Sequence, residues 1–200
     1  LVLGVMESQV CNLRLGAILR RYIVLSNGVL VRLIANRMSA STIARRSSLI
    51  VRAGYQRMYQ LAKEVPSTVS FTPDELAECE SKKSAMGLLS DDWFVCMHAR
   101  DGAYLNSVLG GNDWSYHDFR DFDFDSFMAA AKFIRELGGI PIRIGHVVNR
   151  PLSDESRRVC LDYSSQFRDE LMDLYLPSAN RFFLGNSSGM HAVATLFNCP

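Results

Sequence analysis

Downstream of residue 70, short apolar runs alternate with amphipathic stretches of helical period. The first clear signal is a helix start. Thr72 stands at an N-cap position, Pro73 at the first helical position, and Glu75 completes a T-x-x-E capping box, so a helix should run to about Met86 and stop at Gly87. An apolar strand, Trp93–His98, then ends abruptly in His98-Ala-Arg100-Asp101-Gly102. A long polar and aromatic segment follows to Asp123, longer than a filler connection, and long loops in compact domains are often functional. Phe127, Ala130, Ala131, Ile134 and Leu137 keep the i, i+3, i+4, i+7 spacing of a helix that Asp123 or Asp125 can cap and Gly138 can close.

The pattern then repeats. Ile140–Ile144 reads as a short strand with Pro141 near its start, and Val159–Tyr163 as another, followed by a helix through Phe167, Leu171 and Leu174. Arg181–Gly185 reads as a fourth strand and Ser188–Phe197 as a last helix. Strands alternating with helices predict an α/β fold: a Rossmann-like, mostly parallel sheet with helices on both faces and its strand ends on one edge.

The first 65 residues have a different texture, Arg-rich and apolar in turn. The segment from Ser8 to Lys63 holds ten of the 22 basic residues and none of the 21 acids, so the remainder is net acidic although the whole carries only +1. The longest uncharged run there, Tyr22 to Val31, is half of the ~20 residues a membrane span needs. Two readings stay open: amphipathic helices packing on other parts of the protein, or an interfacial segment on anionic lipid through residues 8–63. No nucleic-acid reader motif appears, so no nucleic-acid partner is expected. With a linker-like stretch from Glu64 to Pro73, the chain divides into a helical extension over 1–65 and an α/β domain over 66–200. The start at Leu1 and the stop at Cys199-Pro200, straight after an apolar stretch, suggest a piece of a longer protein with that domain incomplete at its C-terminus.

A hydrophobic fraction of 48% with 22% charged residues describes a globular chain. Five scattered cysteines, none at C-x-x-C or zinc-ligand spacing, point to a reduced, cytoplasmic setting.

Candidate chemistry gathers at three predicted strand ends: His98-Ala-Arg100-Asp101, Gly145-His146, and Gly185-Asn186-Ser187-Ser188-Gly189. In the last, small residues open a helix whose unpaired N–H groups favour an anion. An Arg across the crevice would offer a planar fork to phosphate oxygens. Together they describe a diphosphate held between Arg100 and the Ser187–Gly189 turn. The alternative is that the turn only caps a helix and Arg100 pairs with a carboxylate. The same turn spells G-x-S-x-G, the nucleophile elbow of α/β hydrolases, but the acid and base that should follow it are missing. P-loop and dinucleotide glycines are absent from the sequence. Asp118, Asp121, Asp123 and Asp125 could suggest a metal, yet their alternation with Phe119, Phe122, Phe124 and Phe127 reads better as a solvated face over an aromatic anchor, and no metal is expected.

Ser70-Phe-Thr-Pro-Asp-Glu-Leu76, Phe94–Leu105, Tyr116-His-Asp-Phe-Arg120 and Phe182–Gly189, in that order, resemble a family of bacterial proteins predicted to be glycosyltransferases. More distantly they are similar to fucosyltransferases whose H-x-R motif ends a strand. The resemblance covers residues 70–200 and implies the C-terminal, sugar-nucleotide-binding domain of a GT-B glycosyltransferase. It implies that Arg100, with Asn186, Ser187, Ser188 and Gly189, would bind the donor diphosphate, while His98, Asp101 and His117 would face the sugar or acceptor as catalytic candidates. The immediate Asp101 departs from the fucosyltransferases, which place their acid later. The implied activity is transfer from a nucleotide-diphosphate sugar to a glycan or lipid-linked acceptor in bacterial surface polysaccharide synthesis. No bound cofactor would be needed, and the enzyme would be cytoplasmic or peripheral on the inner membrane. A non-catalytic nucleotide- or glycan-binding module is the competing class, and a serine hydrolase using residues 185–189 a more remote one.

Overall fold

The computed structural model describes residues 3–5, 12–26, 28, 29, 33, 67, 69–108 and 113–200. The chain divides into two compact units, Leu1–Ser70 and Phe71–Pro200. In the first, β1 (Leu3–Val5) and β2 (Val24–Ser26) pair in parallel and flank α1 (Leu13–Leu19). Asn12 caps α1 by accepting from the Leu15 N–H at 2.8 Å. A strand–helix–strand unit therefore stands where the sequence predicted helices alone. The β-branched pair Ile23-Val24 suits a strand better than a helix. Residues 34–66, which carry most of the predicted basic amphipathic segment, lie outside the described residues.

The second unit opens with α2 (Pro73–Ala85), which has the predicted capping box: Thr72 Oγ1 accepts from the Glu75 N–H at 3.2 Å and Glu75 Oε2 from the Thr72 N–H at 2.8 Å. Gly87 ends it at φ +81°, a left-handed conformation that costs glycine little. The remaining strands, β3 (Phe94–His98), β4 (Ile140–Arg143), β5 (Leu161–Asp162) and β6 (Phe183–Gly185), form one parallel sheet in the order β5-β4-β3-β6.

Alternation along β3 explains the two layers. Phe94 and Cys96 point into one core with Ile142, Tyr163, Leu171, Met172 and Leu176; Val95 and Met97 point into the other with Phe124, Ala131, Ile134 and Leu152. Helices cover both faces, so a strand buried on both sides reads as a continuous apolar run. This α/β layout is consistent with the Rossmann-like sheet predicted from the sequence.

Three elements depart from their predicted form. The 102–123 segment is not an extended loop: it holds α3 (Ala103–Val108) and a 3-10 helix, Ser115–Arg120. A second 3-10 helix, Phe124–Phe127, is what Asp123 caps, and it leads into α4 (Met128–Glu136). The strand predicted over 159–163 shrinks to two residues. Ser153 accepts from the Ser156 N–H at 3.2 Å and starts α5 (Asp154–Val159), which absorbs Val159. The helix predicted through Phe167–Leu174 is split into α6 (Tyr163–Gln166) and α7 (Met172–Ala179), because Asp169 Oδ1 accepts the N–H groups of Leu171 and Met172 and restarts the helix. The last element is α8 (Gly189–Leu196).

Candidate functional site

The strand order locates the site. From β3 the chain moves outward through β4 and β5, then returns to the opposite side of β3 as β6. The helix that links β3 to β4 (α4) packs on one face, whereas α8, after β6, contributes Met190 to the other. Divergence of this kind opens a crevice beyond the carboxyl ends of two adjacent strands, where ligands bind in open α/β sheets. The two lips of the β3–β6 crevice are His98–Asp101 and Gly185–Gly189, the segments singled out in the sequence.

Asn186 ties the lips together. Its N–H reaches the His98 carbonyl at 3.4 Å, its Oδ1 accepts from the Arg100 N–H at 2.8 Å, and its Nδ2 donates to the Arg120 carbonyl. Its side chain is thus committed to the scaffold. Arg100 is 9% exposed; its Nη1 pairs with Asp121 and donates to the His117 carbonyl at 3.1 Å. Asp101 acts as a clamp, with Oδ1 accepting from the Ala103 N–H at 3.0 Å at the start of α3 and Oδ2 from the Asn149 N–H at 2.9 Å. The His117 ring, half-buried, packs against Trp114 and Tyr116. On the opposite lip Ser187 and Gly189 are exposed. Ser188 occupies the N-cap position of α8 without capping it, and its Oγ is buried with no hydrogen-bond partner. The first turn of α8 carries no acidic residue. Its unpaired N–H groups and a spare hydroxyl thus meet at one end of the crevice.

Sequence reasoning missed Arg120 as a site residue, although it closes the quoted Tyr116–Arg120 motif. The bond from Asn186 to its carbonyl brings it beside the crevice. Its guanidinium lies 5.7 Å from the Phe119 ring centroid and joins no ion pair among the described residues, and its Nε is buried without a hydrogen-bond partner. Its charge is felt by its neighbours. Burial and then Arg120 pull the Arg100 guanidinium below its ordinary value, against Asp118 and Asp101. Desolvation and then Arg120 and Arg100 do the same to the His117 imidazole. The two guanidinium groups therefore stand close enough to repel one another, and only that of Arg100 is held in an ion pair among the described residues.

His98 Nδ1 lies 3.0 Å from the Ile144 carbonyl. A carbonyl can only accept, so Nδ1 carries the proton and Nε2 is left as an acceptor. Burial holds the imidazole below its ordinary value, only partly offset by that carbonyl and by Asp101. The sign of the resulting pH dependence follows. The unfolded chain takes up a proton near the ordinary value while the folded chain resists it, so this stability is complete above that value and is lost as pH falls below it. Urea midpoints at about pH 7.5 and 5.5 are expected to fall more steeply on the acid side for the wild type than for His98→Asn.

Other groups are accounted for. Asp123 pairs with Arg150 at 2.9 Å, Asp125 accepts from the Ser156 hydroxyl at 3.2 Å, and Asp121 belongs to Arg100, so three of the four acids in the run are spent on arginine and hydroxyl partners. Among the described residues no three His, Cys, Asp or Glu side chains gather to hold a metal ion. Cys79, Cys96 and Cys160 are buried free thiols, and burial pushes Cys79 and Cys160 up to about 12, which suits packing rather than nucleophilic work. A nucleophile elbow is a strained turn, yet Asn198 alone among the described non-glycine residues has a positive φ, so Ser187 sits in relaxed backbone. Among the described residues no helix is long and apolar enough to cross a membrane. Comparison with protein-family models, curated proteins and solved structures gives no match for this chain.

Proposed function

We propose that the protein is a glycosyltransferase of GT-B type whose β3–β6 crevice binds the diphosphate of a nucleotide-sugar donor. The observation that carries this reading is the pairing, across one topological switch point, of an Arg120 that joins no ion pair among the described residues, beside Arg100, with the uncapped start of α8 and the partnerless Ser188 hydroxyl. Two guanidinium groups and a helix N-terminus match the charge and the many acceptor oxygens of a diphosphate. In transfer chemistry the same groups would stabilise the departing nucleoside diphosphate without a bound metal. Arg100, paired with Asp121, would act as the scaffolded half of that clamp, and Arg120 as the half with spare donors. Asp101 serves position rather than proton transfer in this scheme, because both its oxygens are engaged by backbone N–H groups. His98, with a neutral Nε2 acceptor, is the better candidate for contact with the reacting sugar or acceptor.

The strand–helix–strand of the first unit is the building block of a Rossmann-like domain and supports the two-domain reading of GT-B. A glycan or lipid-linked acceptor and a role in bacterial surface polysaccharide synthesis follow from the sequence resemblance. A peripheral position on the inner membrane follows from the charge of residues 8–63. Arg-to-Glu substitutions in that segment are then expected to abolish cosedimentation with anionic liposomes; retained binding would reject the membrane role.

The test is calorimetric titration with UDP, GDP and their sugar conjugates, followed by assays for donor hydrolysis and transfer. Binding with turnover supports the transferase. Binding without either would favour a non-catalytic nucleotide-binding module. Absence of all nucleotide binding would reject both.

A further inference from the structure

On the side of β3 away from β6, two imidazoles stand at neighbouring strand ends in opposite hydrogen-bonding roles. His98 ends β3 and His146 follows the end of β4; a Cβ built on Gly145 would lie 3.6 Å from His98 Nδ1. His98 spends its Nδ1 proton on the Ile144 carbonyl and offers Nε2 as an acceptor. His146 Nδ1 lies 2.9 Å from Arg168 Nη2. A guanidinium only donates, so His146 Nδ1 accepts and the ring proton sits on Nε2. Arg168 is itself held, with Nε and Nη2 at 3.1 and 2.9 Å from Asp173 Oδ2. The other oxygen of Asp173 is 2.8 Å from the Tyr163 hydroxyl, and both residues are buried. A relay Tyr163–Asp173–Arg168–His146 thus runs from the core to the strand edge and sets one tautomer. Neither imidazole Nε2 has a hydrogen-bond partner among the described residues. The Tyr104 ring packs edge-on to His146 at 5.3 Å and gives the pair an apolar flank.

We propose that the β3–β4 edge is a hydroxyl-recognition subsite for the sugar of the bound donor, with His98 Nε2 as acceptor and His146 Nε2–H as donor. It rests on the diphosphate reading of the adjacent β3–β6 crevice. An anion would call for two donors and a cation for two acceptors. One fixed acceptor beside one fixed donor matches neutral hydroxyl groups, which need both, and a pyranose presents such groups next to one another. Fixing matters because an unconstrained imidazole changes tautomer or charge near neutral pH. Arg168 removes that freedom from His146. Desolvation and then the Arg168 charge hold its imidazole below the ordinary value, against Asp173 and Glu170.

Calorimetry with UDP, UDP-glucose, GDP and GDP-mannose tests the subsite. In at least one pair the sugar conjugate is expected to bind about tenfold more tightly than the nucleoside diphosphate, as a well-aligned hydrogen-bonded pair allows. His146→Phe is expected to erase that difference while leaving the diphosphate affinity unchanged. Diphosphate and conjugate binding equally, or a difference that survives in His146→Phe, would overturn the subsite and leave the diphosphate reading standing; no binding of any of the four would overturn both. Nitrogen-15 spectra of histidine-labelled protein give an independent readout. His146 is expected as the neutral Nε2–H tautomer, titrating below the ordinary imidazole value, and Arg168→Leu should raise that titration and make the sugar-dependent affinity pH-dependent. A wild-type His146 that titrates normally would overturn the fixed donor even if the relay merely tethers the loop.

Discussion

Replacing Arg120 by alanine is expected to weaken nucleoside-diphosphate binding roughly 10- to 100-fold without lowering the urea midpoint of the free protein. The affinity estimate follows from the ~1.5–3 kcal/mol of a hydrogen bond to a charged group, where 1.4 kcal/mol is tenfold. The unchanged stability follows from what Arg120 lacks. Its side chain joins no ion pair among the described residues, and it works against the charged forms of Arg100 and His117. Removing it relieves repulsion with Arg100 in the free protein. Arg100→Ala should behave differently, because it strands Asp121 and the His117 carbonyl that Arg100 now satisfies. Loss of affinity there would come mixed with loss of stability. Only the Arg120 variant separates the two. Calorimetry on a variant with wild-type affinity for UDP and GDP would show that the diphosphate does not lie beside Arg120, and the proposed clamp would fail with it.

Gly185→Ala is expected to destabilise the second unit by about 1–3 kcal/mol, as overpacking a filled site does, and to abolish diphosphate binding at the same time. A Cβ at Gly185 would stand 2.6 Å from the His98 carbonyl oxygen and 2.8 Å from the Phe183 ring. The ring can swing aside, but the carbonyl is β3 backbone, paired in register with Gly185. β6 must therefore move away from β3 where Asn186 joins His98 and Arg100. Gly189→Ala is the control for stability, since nothing lies within 4 Å of the added carbon. A Gly185→Ala variant with the wild-type urea midpoint and intact binding would mean that close β3–β6 approach is not what builds the crevice.

Much of this architecture was legible in the residue pattern. The capping box at Thr72 and Glu75, the apolar run of β3 and the period of α4 are local signals, and local hydrogen bonding or packing realises each of them. The errors share a cause. β5 and the split between α6 and α7 were misread because single side chains, Ser153 and Asp169, start helices in polar stretches that the apolar periodicity did not mark. Leu137 fits the buried stripe of α4 by spacing but is 60% exposed, because the helix ends at Glu136.

The candidate site divides along the same line. His98, Arg100 and the Asn186–Gly189 turn could be picked out as strand-end polar residues, because a run of apolar residues that stops at charge marks where a buried strand meets solvent. Which ends lie side by side could not be read. That β6 returns next to β3 rather than beyond β5 is a long-range choice of strand pairing, and it alone brings Asn186 to Arg100 across 86 residues. The capture of Arg100 by Asp121, the lack of an ion-pair partner for Arg120 among the described residues and the tautomer set on His146 by Arg168 are likewise tertiary. Each depends on which partner reaches a polar group first in three dimensions. The sequence by itself determined that this is an α/β chain with chemistry at its strand ends, because burial periodicity and capping are local. Only the tertiary structure decided which of those ends face one another, since hydrogen-bond and charge satisfaction are settled between distant segments.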